Sequence, residues 1–162
     1  MGIRNVRVLG DDILRKRSKE ITEMTPRMRS IIEDMLDTMY EQNGVGLAAP
    51  QVGILKRVVV IDVCDDNGAI VMINPEILET SGEQTGAEGC LSVPGKHATV
   101  TRPNYVKARA LNINMEPYEI EGTELLARAI LHECDHLDGI LYVDKMEGPL
   151  MDNDEDEEEY EE

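Results

Sequence analysis

Two histidines stand four residues apart in Leu131-His132-Glu133-Cys134-Asp135-His136. On a helix both imidazoles project from one face and can share a metal ion, with the Glu133 carboxylate beside them as a general base. This HExxH spacing also arises by chance in helices rich in Glu and His, where it marks only a solvated face. Here Leu131, Leu137 and Ile140 flank it, an apolar setting that argues for burial, and buried imidazoles need partners that a metal provides. A catalytic ion takes a third protein ligand and keeps one position open for water. Cys90, in Glu88-Gly89-Cys90-Leu91-Ser92, is the best candidate. Thiolate is a good ligand, and the segment between Gly86, Gly89 and Pro94 reads as a loop that can hold an accessible thiol. Cys64 ends an apolar run and Cys134 lies about 200° around the helix from His132, so both read as core cysteines. His97, in a polar Gly-Lys-His segment, reads as an exposed loop residue outside the ligand set.

A third segment, Gly44-Val-Gly-Leu-Ala-Ala-Pro-Gln-Val-Gly53, lacks both the Lys of a phosphate loop and the spacing of a dinucleotide fingerprint. Gly44 and Gly46 let another backbone approach closely, as a peptide substrate would, and the Gln51 amide could donate to a developing oxyanion. A plain connecting loop accounts for these residues equally well.

The elements that must position these groups are legible from periodicity. Thr25 to Asn43 reads as a helix, with Thr25 as cap, Pro26 at the first position, Ile31, Ile32, Met35, Leu36 and Met39 on one stripe, and Gly44 as its stop. The β-branched run Arg57–Val63 predicts a buried strand, Ala69–Ile73 another, and Val106–Leu111 and Tyr118–Ile120 shorter ones. Asn74-Pro75, Ser81-Gly82, Pro94-Gly95 and Arg102-Pro103 punctuate the stretch between them. Thr123–Leu137 returns to helical spacing, with Leu126, Ile130 and Cys134 on one stripe and Gly139 as the stop. Strands flanking isolated helices predict an α+β fold: mixed or antiparallel strands packed around a central HExxH helix, with an N-terminal helix.

The chain has 162 residues, enough for one domain with a real core. Lys and Arg number 16 against 33 Asp and Glu, a net charge of −17 that argues against a surface built to bind nucleic acid directly. Nine of the acids fall between Asp152 and Glu162, which predicts a catalytic domain over 1–151 and an acidic disordered tail over 152–162. With no Phe or Trp and nine Met, the core must be aliphatic. Three cysteines without a CxxC pair fit reduced thiols and a cytoplasmic protein. No segment approaches the roughly twenty apolar residues of a membrane span.

Taken together the three motifs resemble those of the peptide deformylases, which carry G-x-G-x-A-A-x-Q, E-G-C-x-S and an H-E-x-x-H-type helix in this order. Here they read Gly44 to Gln51, Glu88 to Ser92 and His132 to His136, within a resemblance that runs from about Val8 to about Asp144. The resemblance implies a cytoplasmic, bacterial-type hydrolase. It would release formate from N-formylmethionyl peptides of newly made proteins through attack by a metal-bound water. Cys90, His132 and His136 would hold one divalent metal, Glu133 would act as base and acid, and the Gln51 side chain and Leu91 N–H would stabilise the oxyanion. Fe2+ is the family's characteristic ion, with Zn2+, Ni2+ or Co2+ as substitutes. The substrate backbone would pair near Gly46, and counting back along the helix face places Leu125, Arg128 and Ala129 at the methionine pocket. Arg128 stands where the family usually has an aliphatic residue. Either its stem lines the pocket with the guanidinium in water, or the side chain simply faces solvent. Glu88 is a candidate partner for a liganding His and for Arg102, with Asp135 a further participant.

Two departures stand out. His97 falls where some members carry an Arg that contacts the peptide. Where many bacterial members continue into a basic ribosome-docking helix, Lys145 is here the last basic residue before a run of acids, which argues against docking by that route. Two other readings of the motifs are a zinc-type HExxH peptidase and a non-enzymatic metal or thiol sensor. Against the peptidase, only acids are available as ligands downstream of His136.

Overall fold

In the computed structural model of the chain, which describes residues 2–153, the apolar run near residue 60 becomes β2 (Val58–Ile61), a strand with every side chain buried. Successive strand residues point to opposite faces. Accordingly Val58 and Val60 enter one apolar core while Val59 and Ile61 enter another. Two faces therefore need covering, which is why the run is apolar throughout instead of alternating.

β2 lies inside a five-stranded sheet with β1 (Gly46–Ala48), β3 (Ile70–Ser81), β6 (Tyr105–Leu111) and β7 (Pro117–Thr123), in the order β1-β2-β3-β6-β7. One face is covered by α1 (Pro26–Glu41) through Ile31, Ile32, Met35 and Met39. The other is covered by α2 (Glu124–Leu137) through Leu126, Ala127, Ile130 and Leu137. Each of these Ile, Leu and Met side chains contributes about 1.5–3 kcal/mol on full burial, so aliphatics and methionines suffice without Phe or Trp.

α1 starts as its sequence predicts, with Thr25 Oγ1 accepting the Met28 N–H at 3.1 Å and Pro26 in the first turn. It stops earlier, at Glu41, and Asn43 at φ 58° takes the left-handed turn expected of Gly44. Asn tolerates that conformation better than most residues because its short amide can bond locally.

β3 also runs beyond the expected break at Asn74-Pro75. A register shift between Ile73 and Glu76 absorbs the proline, and Asn74 at φ 51° ties its side chain to the N–H and C=O of Ile21 at 2.9 and 2.8 Å.

A second sheet, β4-β5-β8, comprises β4 (Gln84–Cys90), β5 (Val93–Arg102) and β8 (Glu147–Asp152). Its small core is Val93, Ala98, Val100 and Tyr142. With one face largely in water and glycines along β4, these strands carry little apolar alternation, so the sequence reads there as loop. Within both sheets every pairing is antiparallel. β8 includes Asp152, which pairs with Lys96, so strand structure continues into the first residue assigned to the tail. The disorder expected of the tail beyond Asn153 lies outside the described residues.

Candidate active site

α2 divides its surface between two tasks. The stripe Leu126, Ala127, Ile130 and Leu137 packs on the sheet, while Arg128, Ala129, His132, Glu133 and His136 are buried beneath the second sheet and β1. The turn from β4 into β5 delivers Cys90, whose Sγ lies 3.3 Å from His136 Nε2. Cys90 thus stands at a strand end, paired with Val93, and not in a free loop. The ligand atoms of Cys90, His132 and His136 all lie within 4.8 Å of one another. Ser92 N–H at 3.4 Å and Gln51 Nε2 at 3.5 Å converge on the same sulfur. Gln51 is held in turn: its Oε1 accepts from Ala48 N–H at 2.9 Å and its Nε2 donates to Ser92 Oγ at 3.0 Å.

Glu88 organises the opposite side. Its carboxylate accepts from Arg102 Nε and Nη2 at 2.8 and 2.7 Å, from Arg128 Nη1 at 2.7 Å, and meets His132 Nδ1 at 2.5 Å. Burial alone would raise its pKa, but the hydrogen bonds and charges of Arg102 and His132 outweigh it and hold the carboxyl well below the usual range. With Nδ1 engaged, His132 is left to present Nε2 to the cavity, the usual way a carboxylate orients a liganding imidazole. Arg102 also binds Asp135 at 3.0 Å, and Lys145 reaches Asp135 at 3.1 Å. The ring of Tyr142 stacks against that of His132, with centroids 6.1 Å apart and planes inclined by 29°.

Glu133 is buried with Oε2 3.9 Å from His132 Nε2, and among the described residues Oε1 has no hydrogen-bond partner. Burial pushes its carboxyl up to about 7 against the opposing pull of His132. Gly46 makes room for it, since a Cβ there would sit 2.5 Å from Glu133 Oε2. A thiol and two imidazoles, beside a buried carboxylate oxygen that lacks a partner among the described residues, form a donor set suited to one borderline-soft divalent ion. Beside it opens a cavity of about 490 Å³, lined by Gly46, Leu91, Leu125, Arg128 and Ala129 among others, within the size range of small-molecule sites.

The family model for polypeptide deformylase matches residues 3–150. The chain belongs to the peptide deformylase family. Among its relatives, the peptide deformylase of Agathobacter rectalis is 67% identical over 152 residues, covering 94% of this chain and 95% of that one. Among solved structures, the peptide deformylase from Thermotoga maritima superposes with a TM-score of 0.87 at 42% identity, over 91% of this chain and 100% of that one. The peptide deformylase from Synechococcus elongatus in complex with actinonin gives 0.84 at 42% identity, over 88% and 78%. Peptide deformylases are metal-dependent hydrolases that remove N-terminal formyl groups from nascent peptides.

Of the residues that the sequence points to, the fold brings Cys90, His132, Glu133, Gly46, Leu91, Leu125, Ala129 and Arg128 to one cavity, and His136 and Gln51 adjoin it through their contacts with Cys90. Arg128 lines the cavity as expected, but its guanidinium is buried against Glu88 instead of reaching water. His97 sits half-buried on β5, its Nδ1 2.5 Å from Asn153 Oδ1, because the segment pairs with β8. Cys64 is exposed, in a left-handed turn at φ 62° after β2, and not a core cysteine. Spacing and residue type do not single out Ser92, Tyr142 or Asn153. Ser92 lies inside a motif that was read, so its burial beside Gln51 was within reach, whereas no local pattern marks Tyr142 or Asn153.

Proposed function

We propose that this chain deformylates N-formylmethionyl peptides in the cavity between β1, the β4–β5 hairpin and α2, with α2 as the HExxH helix of that reading. The observation that carries it is the convergence of the Cys90, His132 and His136 ligand atoms beside the Glu133 carboxylate. These three side chains would hold one divalent ion. Bound there, the ion supplies Lewis acidity and lowers the pKa of a coordinated water toward neutrality. Glu133 takes a proton from water and returns it to the departing amine. The Gln51 amide and the Leu91 N–H donate to the oxygen that gains charge when the formyl carbonyl is attacked.

β1 and β4 are both outermost strands of their sheets, so each leaves a backbone edge on which a peptide can pair as an added strand, near Gly46 and after Cys90. Leu125, Ala129 and Arg128 form the wall for the methionine side chain. Ferrous iron is the ion we propose for the cell, and a thiolate with two imidazoles also admits Zn2+, Ni2+ and Co2+. Free cysteines at 64, 90 and 134 support a reducing, cytoplasmic setting. The acid excess argues against direct nucleic-acid contact and against ribosome docking by electrostatic attraction to RNA.

The test is formate release from formyl-Met-Ala-Ser by protein purified without oxygen and loaded with Fe2+ or Ni2+, in parallel with Glu133→Gln. The variant should lose about 10²–10⁴-fold in kcat while its Co2+ form keeps the thiolate absorption band, and Cys90→Ser should abolish that band. A Glu133→Gln variant as active as the parent, or cleavage of internal peptide bonds without formate, would overturn the reading.

A further inference from the structure

Arg128 lines the cavity, yet its side chain is only 8% exposed. Its guanidinium is anchored at three points: Nε donates to Gln84 Oε1 at 3.3 Å, Nη1 to Glu88 Oε1 at 2.7 Å and Nη2 to the Val100 carbonyl at 3.0 Å. A guanidinium carries five N–H groups, two on each terminal nitrogen. One N–H on Nη1 and one on Nη2 are therefore without an acceptor among the described residues, in a wall whose neighbouring members are Leu125 and Ala129. The side chain cannot swing out to water without breaking its pair with Glu88, which it shares with Arg102 and His132.

We propose that Arg128 is a specificity-determining residue, which makes this pocket select a thioether over a hydrocarbon of the same shape. The inference rests on the cavity being the deformylation site. A hydrocarbon side chain that fills the pocket excludes water and leaves the two N–H groups unpaired, which is costly for buried donors. The sulfur of methionine is a polarisable, weak acceptor and offers them a partner. Norleucine, with a methylene in place of sulfur, matches methionine in length and volume and lacks only that acceptor. A purely structural Arg128, serving to anchor Glu88, would change activity toward both side chains equally.

The experiment compares kcat/KM for formyl-Met-Ala-Ser and formyl-norleucyl-Ala-Ser with the metal-loaded full chain. The parent should favour methionine by about 3- to 10-fold, the worth of one weak hydrogen bond gained. In Arg128→Leu the ratio of the two kcat/KM values should fall to about 1, whatever overall activity the variant loses through Glu88, because no buried donor is left to tell sulfur from methylene. Should that variant not fold, Arg128→Met keeps the unbranched stem and carries the same expectation. Equal kcat/KM for the two substrates in the parent overturns the proposal, as does a variant that loses both activities in the same ratio. A parent that releases formate from neither substrate overturns the assignment of the site itself.

Discussion

Adding a single methyl at Gly46 should disable the enzyme while leaving it folded. A Cβ built on Gly46 lies 2.5 Å from Glu133 Oε2 and 2.9 Å from both Cγ and Cδ of the same side chain, whereas ordinary contact begins near 3.4 Å. Closing the gap from 2.5 to 3.4 Å requires a displacement of about 0.9 Å, and carboxylate, helix and strand must share it. Gly46 is fixed in register opposite Ile61 in the sheet, and α2 is fixed by its apolar stripe. The carboxylate is the part with torsional freedom, so Glu133 is what moves. Misplacing a reacting group by about 1 Å costs roughly 10²-fold in rate, while local overpacking costs about 1–3 kcal/mol of a total near 5–15. Gly46→Ala should therefore keep a cooperative urea transition at a lower midpoint and lose about two decades in kcat for formate release. Gly86→Ala is the control, because a Cβ there meets Arg128 Nη2 at an ordinary 3.8 Å, and it should leave kcat unchanged. A folded Gly46→Ala enzyme with kcat within about twofold of the parent would refute the steric reasoning.

Two further outcomes follow from side chains around the same helix. The Tyr142 hydroxyl is buried and lacks a partner among the described residues. Tyr142→Phe keeps the ring beside His132 and removes an uncompensated polar group worth about 1 kcal/mol. Its Tm by scanning calorimetry should rise by about 2–4 °C, and a fall would show that the hydroxyl is satisfied. Asp144 accepts from Arg15 at 2.5 and 3.1 Å and from the Leu141 N–H at 3.0 Å, and the Arg15 hydrogen bond leads in holding its carboxyl below the ordinary 3.8. A depressed carboxylate pKa contributes stability above the unfolded value, and the contribution is lost as pH falls through the folded one. With 38% of the side chain exposed, the pair is worth under about 1 kcal/mol. Asp144→Asn should be less stable than the parent by that small amount at pH 7, and the difference should shrink progressively as pH falls below the ordinary 3.8 in paired urea titrations. Equal destabilisation throughout would contradict the linkage.

Much of the site is written in local spacing. His132 and His136 share a face because a helix repeats every 3.6 residues, and the Thr25-Pro26 start and the Gly139 stop follow from capping chemistry that involves only neighbouring residues. The apolar run of β2 announces burial on both sides. β4 and β5 escape the same reading because their open face relieves them of apolar alternation, so residues 84–102 look like loop until pairing partners are known. Asn43 takes the turn assigned to Gly44 because both residues tolerate left-handed backbone, a choice that neighbouring sequence leaves degenerate.

Chain order and residue type thus determined the helix that carries His132, Glu133 and His136, the apolar faces that bury it, and the motifs shared with the deformylases. Tertiary structure alone decided that Arg128 turns inward to Glu88, that Gly46 yields its side-chain space to Glu133, and that Tyr142 lies beside His132. The reason is physical. Local periodicity dictates which side chains share a face, but a buried charge or an empty Cβ position acquires meaning only from the partner that meets it. Those partners lie on elements far apart in sequence, brought together by the packing of α2 between the two sheets.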